Sequence, residues 1–180
     1  MKRTISLLLR MLSICGMALP LLLVPAPRLV RAQGQQAPRA ATDKAQYWSH
    51  ADLVDIWKDL EAKQVINKRV MEGGTYSLNI RTIKEDSPPL VHAKSIDLWI
   101  IEAGNPISVT GGHLVGMKTN PNSDDMSGTS ISGGVEQPMK PGDIVFIPTG
   151  VPHGFKNTKG FRALLIRWEI KAPGVGAKSD

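Results

Sequence analysis

Little cysteine, few aromatics and no long apolar run set the first limits on this chain of 180 residues. Its one cysteine is Cys15, so everything after that position lacks disulfides, thiolate metal sites and cysteine nucleophiles. Aromatic residues make up 5% of the chain and are not interleaved with basic ones, which removes the stacking surface of a nucleic-acid binder. The longest apolar stretch, Met11 to Val24, covers 14 residues between Arg10 and Pro25, whereas a membrane-spanning helix needs about 20. Acidic residues are missing from the first 32 positions, which hold Lys2, Arg3, Arg10, Arg28 and Arg31. The formal charge of +6 therefore falls to +1 from Gln33 onward, 17 basic residues against 16 acidic, and no polyanionic partner is implied.

What the first 32 residues do contain is the grammar of export. Lys2 and Arg3 open the stretch, the apolar core follows, and Val30-Arg31-Ala32 offers a small-x-small cleavage site before Gln33. Residues 1–32 read as a secretory signal peptide, with the protein expected in the periplasm or outside the cell and without stable membrane insertion after cleavage. An uncleaved anchor is the alternative reading. Residues 33–46, rich in Gln, Ala and charge without periodicity, are expected to be a disordered tether, leaving residues 47–180 as a single domain.

That domain begins with a helix signal. Ser49 and Asp52 have the spacing of a capping box, and Leu53, Ile56, Trp57 and Leu60 recur at helical intervals through about Ala62. From Val65 onward the chain breaks into short β-rich runs: 65–71, 76–83, 90–94, 97–101, 107–109, 144–147 and 163–170. Gly, Pro, Asn and Ser separate them. Many short strands at close spacing predict an all-β sandwich or barrel with one short N-terminal helix. The turn-rich stretch Thr119 to Gly134 predicts a long loop of the kind that forms lids and binding loops.

One segment carries more than fold class. Gly142, Pro148, Gly150, His153 and Asn157 fit the spacing G-x5-P-x-G-x2-H-x3-N at every fixed position. At ordinary residue frequencies a chance match anywhere in the chain has odds of roughly one in ten thousand. The segment resembles the second sequence box of the cupin superfamily. Upstream, His92-Ala93-Lys94-Ser95-Ile96-Asp97 and Gly104 resemble a degenerate first box, G-x5-H-x-H-x(3 or 4)-E-x6-G. Asp86 stands where the opening Gly would be, Lys94 replaces the second His, and Asp97 replaces Glu after a hairpin one residue shorter. The resemblance covers about Met71 to Ile170 and implies a jelly-roll barrel, a small-molecule ligand and, as cupins commonly show, a bound metal and a homodimer.

Alternation along strands then predicts which side chains meet. Residues two apart share a face, so His92 and Lys94 are expected on one face, Asp97 and Trp99 on another, and His153 and Phe155 on a third. If these faces point inward, two imidazoles and a carboxylate converge. That set, His92, Asp97 and His153, suits a divalent Fe, Mn or Zn with open coordination positions, and an oxygenase, isomerase or lyase acting on a small polar molecule. Lys94, Trp99 and Phe155 are the candidates for substrate contact.

A lysine in the place of a histidine ligand leaves other readings open. Lys94 either pairs with Asp97 in a site without metal, points past the metal to a substrate carboxylate, or turns outward. Without a metal, a histidine oriented by Asp97 becomes an acid–base pair, as in the metal-free sugar epimerases that cupins include. A barrel that only binds its ligand is the third reading. Arg81 and Arg167 have two readings, anion clamps inside the barrel or, as is usual for strand arginines, side chains facing water, and the second is expected here; His50 and His113 are expected to lie at the surface.

Overall fold

The computed structural model describes residues 44–170; the expected signal peptide and most of the tether lie outside them. The helix α1 (His50–Ala62) starts where the capping box predicts, with the Ser49 hydroxyl accepting from the Asp52 N–H and the Asp52 carboxylate accepting from the Ser49 N–H. Thirteen strands follow: β1 (Asn67–Glu72), β2 (Tyr76–Ile83), β3 (Leu90–Val91), β4 (Ser95–Ala103), β5 (Ile107–Thr110), β6 (His113–Val115), β7 (Lys118–Thr119), β8 (Met126–Ser127), β9 (Ser130–Ser132), β10 (Val135–Pro138), β11 (Ile144–Ile147), β12 (His153–Lys156) and β13 (Phe161–Glu169). No helix among the described residues is long and apolar enough to cross a membrane.

Two antiparallel sheets hold the site. One has the order β1-β2-β13-β4-β11, the other β10-β5-β12-β3-β8-β7, and β6 and β9 form a separate ribbon. The eight strands β2 to β5 and β10 to β13 alternate between the sheets, except that β5 and β10 pair within one, which is the order of a jelly roll with four strands to each side. The stretch expected to be one long loop contains β8 and β9 and abuts β7. Its polar, turn-rich sequence gives no local strand signal, and the short ladders form because strands far away in sequence supply partners, Val91 for Met126 and Leu114 for Ile131.

Facing side chains of the two sheets make the core. On β13, Phe161, Ala163 and Leu165 point inward with Ile101 and Trp99 of β4, and Phe155 of β12 meets them from the other sheet. Phe155 stacks edge-on against Trp99, with centroids 4.9 Å apart, and lies 5.0 Å from Phe161. The outer face of the five-stranded sheet is covered by α1, whose Trp57 and Leu60 pack on Val70 and Ile80. Each such buried side chain contributes roughly 1.5–3 kcal/mol. The Trp57 indole N–H also donates to the Arg81 carbonyl at 3.0 Å, tying the helix to β2.

The fixed residues of the second box turn out to be mostly backbone residues. Gly142, Gly150 and Asn157 all have positive φ, at 89°, 78° and 53°. Glycine adopts this region freely and Asn tolerates it better than most residues. The turns they permit place β11 and β12 in opposite sheets. The Gly150 N–H then donates to the His92 carbonyl at 2.9 Å, and this bond joins the two boxes.

Candidate functional site

Asp97 sits mid-strand on β4, with Ile147 of β11 and Arg167 of β13 as its cross-strand neighbours. Its side chain has no exposure, and those of His92 and His153 have 6% and 5%. One ligand atom from each of the three residues lies within 4.8 Å of the others, and the imidazoles are 5.3 Å apart between centroids. The two sheets therefore bring the predicted triad together at one end of the interior.

A fourth group lies among them. The Arg167 guanidinium donates through Nε to Asp97 Oδ1 at 2.6 Å and through Nη2 to Oδ2 at 2.7 Å, and Nη2 is also 2.5 Å from His92 Nε2. This corrects the expectation that Arg167 faces water. Phe161, Ala163, Leu165 and Arg167 are spaced by two on β13 and share its inward face. Arg81 has the same parity on β2 as buried Asn79 and Ile83 and is likewise turned inward, its Cζ 5.4 Å from the Trp99 ring centroid.

Partners fix the tautomers of both histidines. His153 Nδ1 lies 2.9 Å from the Val151 carbonyl, which only accepts, so Nδ1 carries the proton and Nε2 offers a lone pair to the interior. His92 Nδ1 lies 2.9 Å from Asp125 Oδ2, while its Nε2 faces an Arg167 N–H that only donates. His92 is thus held with its proton on Nδ1 and its Nε2 lone pair engaged. Asp125 also accepts from the Ala93 N–H at 3.1 Å, which anchors the β7–β8 turn over the site. Asp125 was not among the sequence candidates, because 33 residues separate it from His92 and no local pattern links the two.

The electrostatics follow from burial and pairing. Burial alone would raise the Asp97 carboxyl, but the two bonds it accepts from the Arg167 guanidinium prevail and hold it well below the usual carboxylate range. Burial pushes the His153 imidazole down, only partly offset by the Val151 carbonyl and Asp97. Arg81 is pushed down to about 10, first by burial and then by the charge of Arg167. It remains a cation at neutral pH.

Lys94 lies elsewhere. The β3 ladder ends at Val91 and the chain bends at Ala93–Lys94, so the parity that was to put His92 and Lys94 on one face is lost. The Lys94 side chain is 73% exposed and its ammonium is 2.5 Å from Asp124; it makes no pair with Asp97. Trp99 and Phe155 pack against each other in the core. His50 and His113 are exposed. A groove of about 410 Å³, lined by Leu90, His92, Pro121, Asp125 and Met126 among others, reaches the site at His92.

The residue types of the triad are those of a metal centre, but a guanidinium already lies against two of the three. Each Asp97 oxygen accepts one bond from Arg167 and His92 Nε2 faces the same group, which leaves His153 Nε2 as the one imidazole lone pair of the triad without a partner. A divalent cation here would lie against a guanidinium, with Arg81 beyond it and Asp97 as the single fully buried carboxylate among the described residues. In this arrangement the site does not fit a metal; Arg167 is its resident cation.

Among known proteins, the Cupin domain family matches residues 127–167, a span that includes His153 and Arg167. No curated protein matches the chain. A solved structure from Bacillus halodurans is similar over 73% of this chain and 87% of its own, at 12% identity and a TM-score of 0.47. A Cupin 2 conserved barrel domain protein from Salinispora arenicola CNS-205 is similar over 57% and 74%, at 15% identity and 0.39. The DMSP lyase DddQ from Ruegeria pomeroyi DSS-3 is similar over 58% of this chain and 43% of its own, at 17% identity and 0.37. The strand order is that of a jelly roll, and the match to the Cupin domain family lies across the second box, from β8 to β13.

Proposed function

We propose that the chain is an exported cupin that takes up a small polar organic molecule and acts on it by metal-independent proton transfer, with His153 as the base and Arg167 as a fixed positive charge. The observation that carries this reading is the Arg167 guanidinium, bonded at once to both Asp97 oxygens and to His92 Nε2. Its position leaves the neutral His153 as the group with a free inward lone pair. A base beside a fixed cation suits removal of a proton from a carbon next to a carbonyl. Arg167 then faces the negative charge that develops on oxygen, and the imidazole returns the proton. Isomerisation, epimerisation and elimination share this first step. Asp97 and Asp125 act through their neighbours: Asp97 holds Arg167, and Asp125 holds His92.

The second reading, a divalent Fe, Mn or Zn on His92, Asp97 and His153, is favoured by the closeness of their ligand atoms. It requires Arg167 to move away. Elemental analysis separates the two. Wild-type protein incubated with Zn²⁺ and desalted should retain no stoichiometric metal, whereas Arg167→Met, which frees Asp97 and His92, should retain about one equivalent and lose it on further His92→Ala or His153→Ala substitution. Stoichiometric metal in the wild type overturns the proposal. Export rests on the sequence of residues 1–32 alone; N-terminal sequencing of the secreted protein should begin at Gln33, and a chain still starting at Met1 argues for the anchor.

A further inference from the structure

Arg81 is a partly buried cation that has no partner among the described residues. Among the described residues its guanidinium makes no hydrogen bond and no ion pair, and its Nε is fully enclosed without a partner. Only two other fully enclosed side-chain polar atoms among those residues lack a partner, Trp99 Nε1 and Asn67 Oδ1. All three belong to the five-stranded sheet. Asn67 is the cross-strand neighbour of Arg81 on β1, and Ala163, too small to intervene, is its neighbour on β13. Ile101 follows on β4, and the Arg81 guanidinium reaches diagonally across to lie over the Trp99 ring.

Buried polar atoms without partners are rare in folded proteins, and three gathered on one sheet call for a common cause. Water can accept from an N–H, but it cannot balance a charge. Arg81 and Arg167 bring two positive charges to the interior against the one of Asp97, so one is left over. A cation stacked on an indole recovers part of its lost hydration but still lacks an anion.

We infer that the sheet face around Arg81 and Trp99 is a subsite for the carboxylate of a small organic acid, with the Arg81 and Trp99 N–H groups as donors. A monoanionic carboxylate matches the single unbalanced charge, whereas phosphate, close to a dianion at neutral pH, overshoots it. The inference rests on the reading of the interior as a small-molecule site and narrows that molecule to an acid.

Titration calorimetry of the mature chain with glycolate, a monoanion, its neutral analogue glycolamide and inorganic phosphate tests it, with thermal unfolding of each variant alongside. Glycolate should bind the wild type, glycolamide should not, and phosphate should bind more weakly than glycolate. Arg81→Met should weaken glycolate roughly 10–100-fold while the unliganded variant melts no lower than wild type, since an unpaired, partly buried charge has been removed. Arg81→Lys, which keeps the charge and loses the Nε donor, should fall between. The inference is overturned if glycolamide binds as well as glycolate, if Arg81→Met binds glycolate unchanged, or if no carboxylate binds the wild type. It is equally overturned if Arg81→Met is markedly less stable than wild type, because the guanidinium then has a structural partner. Metal in a wild type that still binds glycolate through Arg81 sinks the acid–base reading alone; a metal-free wild type with an indifferent Arg81→Met sinks this one alone.

Discussion

Replacing Asp97 by Asn removes the negative charge around which the interior is arranged. The substituted amide keeps one acceptor for Arg167 but offers it no charge, and two guanidinium groups then share a space with no buried anion. Breaking a buried ion pair by removing one partner costs roughly 3–5 kcal/mol. The Arg167 side chain is 29% exposed, so water recovers part of its solvation, and the lower end, about 3 kcal/mol, applies. At roughly 3–4 °C per kcal/mol for a domain of this size, Asp97→Asn should melt about 10 °C below wild type at neutral pH, read by circular dichroism.

Two further arms make that reasoning refutable. Arg167→Met leaves the fully buried Asp97 without its partner and should cost at least as much; the double variant should cost far less than the two combined, a coupling of about 2–3 kcal/mol. The pH arm follows from the depressed Asp97 pKa. A carboxyl whose folded pKa lies below its unfolded value of about 3.9 adds stability above that value and loses it as the pH falls toward the folded one. Wild type and Asp97→Asn should therefore converge on acidification below about pH 4. A neutral-pH difference under about 2 °C, or additive single effects, would refute the idea that Asp97–Arg167 organises the interior.

The other predictions concern the supports of the site. Trp57→Ala removes an indole that is 2% exposed and packs α1 on the outer face of the sheet; urea unfolding should show a loss of roughly 3–5 kcal/mol. A smaller loss would mean that the helix is not integral to the sheet. Lys94→Ala, by contrast, severs only the exposed contact with Asp124, so melting temperature and glycolate affinity should both stay at wild-type values. A several-fold fall in affinity would return Lys94 to the site.

How far the sequence reaches can be judged residue by residue. The start of α1 is legible because Ser49 and Asp52 act within one turn. His153 is legible because the residues around it, Gly142, Gly150 and Asn157, specify backbone bends at fixed spacing, and such bends are local. The inward faces of β2 and β13 are written in their period of two, and that signal includes Arg81 and Arg167. General experience that strand arginines seek water overrode it. The placement of Lys94 failed for the opposite reason, since the strand that alternation assumed ends at Val91.

The chain by itself determined the longer strands, the turns that aim His153 and the spacing of His92 from a carboxylate in a cupin-like pattern. Only the tertiary structure decided which charges those groups face, because a buried charge is defined by its surroundings. Asp97 and Arg167 stand 70 residues apart, His92 and Asp125 stand 33 apart, and each pair meets only when the sheets close. Three residues of metal-ligand type appear in the sequence; the guanidinium that takes the metal's place appears only across the sheet.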